Sequence, residues 1–362
     1  MASPVDWDLA ERVAVRVAGR EPLAESYHYA RLARDFEEVT ALAEELVERA
    51  TGLRSASGPA RARVVDRGDW VRANIASFGR LLRPLTDRMA ERLEDRRGPG
   101  ALLAGASRKA AAVEIGAVLG WMATRVLGQY DLLIIEDEDP DDQDIVYYVG
   151  PNVLALEKRF GFPPREFRLW LALHEVTHRA QFTGIPWLRE HFLSLVNKTL
   201  EAVDPDPRRF LDALARVVED LRSGNNPLDE GGLATLLASP DQRDLFGRIG
   251  GMMSLLEGHG DVTMDRAGEG HVPSADRFSR ALRQRRREGG SVAKLVQRLV
   301  GIDAKLKQYA QGESFIRYVE RHGGPRALDA AWRGPEWLPD MSEIRSPQDW
   351  LDRVRLSEEL VG

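Results

Sequence analysis

Apolar residues recur three and four positions apart, with charged residues between them, through Asp8–Gly19 (DLAERVAVRVAG), through Tyr29–Leu53 and again from Gly68 to Arg96. That spacing lays the apolar side chains along one face of a helix and leaves the opposite face to water, so these segments predict the amphipathic helices of a bundle. Ser107–Asp131 (SRKAAAVEIGAVLGWMATRVLGQYD) is apolar on more of its circumference. It predicts a central helix ending near Gly128.

From Asp131 the period changes. Leu132–Ile135 and Ile145–Val149 are runs of β-branched and aromatic residues, separated by an acidic stretch that holds Pro140. This is the pattern of a β-hairpin with a solvated turn. Helical spacing returns in GFPPREFRLWLALHEVTHRAQFTG, where Pro163 or Pro164 is placed to start a helix and Gly184 to stop it. Further helices are expected to the C-terminus. The pattern therefore predicts a mainly α fold, a helical bundle with a small β-hairpin or sheet. It divides into an N-terminal helical region (1–130) and a second region (131–362) packed with it as one unit.

Composition narrows the chemistry. The chain has 362 residues, 43% of them hydrophobic and 30% charged, which is enough to bury a sizeable core. The formal net charge is −6 and basic residues are dispersed, RQRRRE at Arg283–Glu288 being the one dense run. Neither a nucleic-acid partner nor a membrane partner is expected from that balance. There is no cysteine, which excludes disulfides, thiolate metal sites and cysteine nucleophiles. An acidic opening and the lack of about 20 uninterrupted apolar residues in any segment lead to an expected cytoplasmic location.

One motif carries chemistry. His174-Glu175-Val176-Thr177-His178 is H-E-x-x-H on a predicted helix. Residues four apart share a helical face, so two imidazoles on adjacent turns can hold one zinc, while Glu175 beside them serves as base toward a zinc-activated water. Leu171, Ala172, Leu173 and Val176 flank the motif, and polar groups in such an apolar helix need a metal or hydrogen-bonding partners. In zincins an edge strand offers its backbone to an extended peptide, and Ile145–Val149 is the expected counterpart.

A catalytic zinc takes three protein ligands and leaves a fourth position open. The tight H-E-x-x-H-x-x-G-x-x-H form is absent, so the third ligand comes from elsewhere. LLEGHGDVTMD (Leu255–Asp265) places Glu257 and Asp261 four apart on one helical face, the way gluzincins supply a glutamate ligand and an aspartate that orients a metal-bound histidine. His259 lies about 200° around a regular helix from Glu257, but Gly258 and Gly260 permit a break that would turn it inward. Glu257 is the expected third ligand and His259 its rival. Among His259, His271, Tyr148 and Tyr309, the donors expected to stabilise an oxyanion are His259 and Tyr309.

HEVTH, EGHGD (Glu257–Asp261), GWMATRVLGQYD (Gly120–Asp131), VVDRGDW (Val64–Trp70), KLKQYAQGESFIRYV (Lys305–Val319) and WRGPEWLP (Trp332–Pro339) together resemble a bacterial zincin-like family of hydrolases or metallopeptidases. Some of its members are associated with biosynthesis of the deazaflavin coenzyme. The resemblance spans nearly the whole chain. It implies a zincin-like arrangement with a small sheet beside the metal-binding helix, and it names no substrate.

The sequence is therefore expected to encode a zinc-dependent hydrolase, a metallopeptidase of gluzincin type acting on a peptide or a small amide. Its zinc ligands are His174, His178 and Glu257, with Asp261 behind them and Glu175, His259 and Tyr309 as catalytic groups. The alternative is a non-catalytic helical scaffold stabilised by zinc that binds a partner through its surface. Oligomeric state is not legible.

Overall fold

The computed structural model describes residues 5–83 apart from 22 and 24, then 86–88, 100–130, 144–202, 240–287 and 302–361. The chain forms two compact units, Met1–Gly184 with Thr263–Arg287, and Ile185–Val262 with Glu288–Gly362. Among the described residues no helix is long and apolar enough to cross a membrane.

The first unit opens with α1 (Trp7–Ala18) and α2 (Tyr27–Thr51), followed by β1 (Arg61–Val65), α3 (Arg67–Leu81) and α4 (Gly100–Ala123). Ser26 caps α2 by accepting the Tyr29 amide, and Gly52 ends it in the left-handed conformation. Leu32, Phe36, Val39, Ala43, Leu46 and Val47 form its buried stripe. Helices α1 and α4 approach until a Cβ on Gly116 or Gly120 would stand 2.5 or 2.4 Å from the carbonyl oxygens of Ala10 and Ala14. Small residues on both helices permit this contact.

Next come β2 (Gly128–Tyr130), β3 (Ile145–Val149), α5 (Gly150–Phe160) and α6 (Pro164–Gly184). The three strands make one sheet in the order β1-β3-β2, with β1 parallel and β2 antiparallel to β3. Ile145–Val149 is thus a strand as its composition predicts, but it is the central strand rather than the edge. All five of its residues are buried, which a run of Ile, Val and Tyr without polar alternation satisfies only with neighbours on both sides. The other half of the expected hairpin, Leu132–Ile135, lies outside the described residues.

Two more expectations change. The apolar segment expected to be helical to about Gly128 stops at Ala123, where the amides of Arg125 and Val126 both turn back to the Met122 carbonyl and the chain continues into β2. Strand β1 was not expected, because RARVV sits partly exposed and its two arginines hide the β-branched pair.

Helix α6 begins at Pro164 and ends at Gly184, as predicted. It lies along α2. Phe278, on α9 (Ala275–Arg287), packs edge-to-face against Phe162, Phe167 and Trp170 around the start of α6. Buried arginines tie α6 down at two levels. Arg168 pairs with Glu157 through two 2.8 Å bonds and also with Asp35, while Arg179 is shared by Asp144, Glu44 and the Gly58 carbonyl.

The second unit contains α7 (Leu188–Ala202), most of α8 (Pro240–Gly268), α10 (Ile302–Gly323), two 3-10 turns, α11 (Met341–Arg345) and α12 (Pro347–Val361). Leu255, Phe315, Ile316, Val319, Trp350 and Leu351 belong to its core. Helices α8 and α10 meet backbone to backbone, for a Cβ on Gly258 would lie 2.3 Å from the Gly312 carbonyl carbon. Helix α8 is continuous past Thr263, so its end belongs to the first unit.

Candidate metal centre

Helix α6 carries His174, Glu175 and His178 on adjacent turns. The two imidazole rings stand edge to face with centroids 4.6 Å apart, and their Nε2 atoms approach to 3.2 Å. Nitrogens bonded at 2.0–2.1 Å to one tetrahedral zinc lie about 3.3 Å apart, so this spacing suits a shared cation. The outer nitrogen of His178, Nδ1, meets Gln181 Oε1 at 3.0 Å. With Nδ1–H donating to that oxygen, Nε2 keeps its lone pair for a metal. Gln181 is fully buried one turn further along, and the motif alone did not single it out.

Among the described residues, one set of three or more potential metal ligands has its donor atoms within 4.8 Å of one another: His174, His178 and Glu257. Two imidazoles and one carboxylate suit zinc and leave room for a fourth ligand. All three residues are half-buried.

Helix α8 stays regular through Gly258 and Gly260, so the break that would have turned His259 inward does not occur. Gly258 serves instead the contact with Gly312. His259 is buried, with its ring edge-on to Trp332 at 5.3 Å between centroids. Asp261 stands one turn after Glu257 and is half-buried. Tyr309 belongs to α10, but its side chain lies outside the described residues.

The other donors weighed above are accounted for. Tyr148 is fully buried, its ring stacked on Phe36 and its hydroxyl 2.8 Å from Thr40 Oγ1. Burial first, and the nearby Glu175 charge after it, push the phenol well above its usual range, although the Thr40 bond works the other way. His271 is exposed in the turn after α8 and lines a surface pocket with Pro163, Pro164 and Glu166.

Glu175 faces the sheet. Its Oε2 accepts the Tyr130 amide at 3.1 Å, and a Cβ on Gly128 would stand 2.7 Å from Glu175 Cγ and 2.8 Å from Oε1. The Val149 amide donates to the Leu127 carbonyl at 2.9 Å, and Gln129 lies opposite Tyr147. By antiparallel alternation, Gly128 and Tyr130 turn their amides away from β3, to the edge where Glu175 sits. Strand β2 is pinned from α3 as well: Gln129 Oε1 accepts from Trp70 Nε1 at 2.8 Å, and Gln129 Nε2 donates to Asn74 Oδ1 at 3.2 Å.

The sequence matches the zincin-like metallopeptidase family over residues 5–351. A crystal structure described as "a putative hydrolase with a novel fold from Chloroflexus aurantiacus" is 32% identical, covers 97% of this chain and 99% of its own, and superposes with a TM-score of 0.70. No curated protein sequence matches. With the match running from before α1 into α12, the chain belongs to the zincin-like metallopeptidase family.

Proposed function

We propose that the protein is a zinc-dependent hydrolase of gluzincin type that cleaves a peptide or other amide bond. The observation that carries this reading is the 3.2 Å convergence of His174 Nε2 and His178 Nε2, with the Glu257 carboxylate in the same donor set and the Glu175 carboxylate on the neighbouring helical position. Zinc, when bound, supplies Lewis acidity that polarises the scissile carbonyl and acidifies water towards neutral pH.

The remaining work falls to the chain. Gln181 holds His178 in the tautomer that leaves Nε2 free, and Asp261 is assigned the equivalent task for His174. Glu175 takes a proton from the attacking water as its oxygen bonds to the carbonyl carbon. It returns that proton to the nitrogen as the C–N bond breaks. His259 and Tyr309 are proposed to donate to the oxyanion. Burial of Glu175 keeps bulk water from competing for its carboxylate.

The test combines zinc stoichiometry with turnover of a quenched peptide library, in wild type and Glu175→Gln. Equal zinc in both, with cleavage only in wild type, is the expected result. Stoichiometric zinc without cleavage of any peptide or small amide would favour the partner-binding scaffold.

A further inference from the structure

The general base of the proposed reaction accepts a hydrogen bond from the backbone of a strand. Its helix, α6, is fixed from α2 and α5 by Arg168 and Arg179, so Cβ of Glu175 has a set position. From there its carboxylate reaches the edge of β2, where two features meet. The Tyr130 amide donates to Oε2, and at Gly128 the strand has no side chain in the volume that Glu175 Cγ and Oε1 occupy. Gly128 has no positive φ that would require glycine, so conformation does not explain the residue. The close approach does.

We propose that Gly128 is a positioning residue for Glu175: its missing Cβ is what allows the carboxylate to lie against β2 and accept the Tyr130 amide. The inference rests on Glu175 being the general base only for its effect on turnover. The contact itself makes no such assumption. Any side chain at 128 has to displace either the carboxylate or the strand, and the strand is anchored by the Trp70–Gln129–Asn74 hydrogen bonds. The carboxylate is the part that yields.

The experiment is a double-mutant cycle on the full-length, zinc-loaded protein, with Gly128→Ala, Glu175→Ala and both together. Zinc stoichiometry should be unchanged by Gly128→Ala, since none of the three ligands is touched. Tyr130 amide exchange should accelerate about tenfold or more in Gly128→Ala, as a hydrogen bond to a charged acceptor is lost. Glu175→Ala should have the same effect, and the double variant should add nothing further. Thermal stability should fall in Gly128→Ala but not when Glu175 is already alanine, because nothing is then displaced.

Turnover gives a separate readout. Gly128→Ala should lower kcat at least tenfold with KM little changed. Additive effects of the two alanine substitutions on Tyr130 exchange and on stability would overturn the proposal. If the exchange and stability cycle behaves as expected while wild type cleaves nothing, the positioning holds and the hydrolase reading fails.

Discussion

Arg179 follows His178 directly, and its guanidinium donates to both carboxylate oxygens of Asp144, at 3.0 Å from Nε and 2.6 Å from Nη2, one residue before the central strand begins. Helix α6 and the sheet are thereby joined by an ion pair whose cation is only 1% exposed.

Removing that cation leaves Asp144 and Glu44 partly buried without their shared partner. Arg179→Met should cost about 2–4 kcal/mol, somewhat below a fully buried pair because both acids keep some contact with water. Chemical denaturation measures the loss. The exposed Arg34–Glu38 pair on α2 is the control, and Arg34→Ala should change stability by less than about 0.5 kcal/mol.

Zinc content separates the roles of the polar residues on α6 and α8. His174→Ala and His178→Ala should each abolish stoichiometric zinc, and Asp261→Asn should weaken it about 10- to 100-fold. His259→Ala should keep the metal, since its ring packs on Trp332, and should lose turnover if it donates to the oxyanion. Loss of zinc in that variant would make His259 a ligand instead.

The crossing of α8 and α10 leaves no room for a methyl. A Cβ on Gly312 would stand 1.9 Å from the Ser254 carbonyl oxygen, and backbone cannot rotate aside as a side chain can. Gly312→Ala should destabilise the protein by about 3 kcal/mol, at the upper end of overpacking effects. Because α8 also carries Glu257, zinc affinity should fall with it. Calorimetry on the zinc-loaded and zinc-stripped variant reads both.

Asp340 gives the second unit an acid-sensitive component. Burial alone would raise its carboxyl, but the Ser342 hydroxyl, the amides of Glu343 and Ser342 and the charge of Arg353 together hold it below its ordinary value. A depressed carboxylate contributes stability that is fully present above the unfolded value, about 3.9, and is lost as pH falls through the folded one. Asp340→Asn should remove this part of the pH dependence. Urea midpoints followed from neutral to acidic pH should then fall less steeply than in wild type.

Helical spacing carried most of the fold: α2 buries one stripe, which a 3.6-residue period records directly, while α6, buried on most of its circumference, was marked by Pro164 at its start and Gly184 at its end. The sheet was harder to read. β2 is three residues long and carries no β-branched side chain, and the partly exposed arginines of β1 obscure its period, so both are strands by virtue of β3 between them. At the site, HEVTH was legible because metal geometry fixes its spacing. Gln181 and Gly128 were not, since one acts through the outer nitrogen of a histidine and the other through the absence of an atom.

The short strand β2 has a further consequence outside catalysis. Among the described residues it pairs on one side only, and an open strand edge invites a second copy of the same chain to pair there. Glu175 sets a buried negative charge against that edge, so a stray strand meets a carboxylate where it would need a free amide. The residue proposed to act on other chains thus also occupies an edge amide that a second copy would need for pairing.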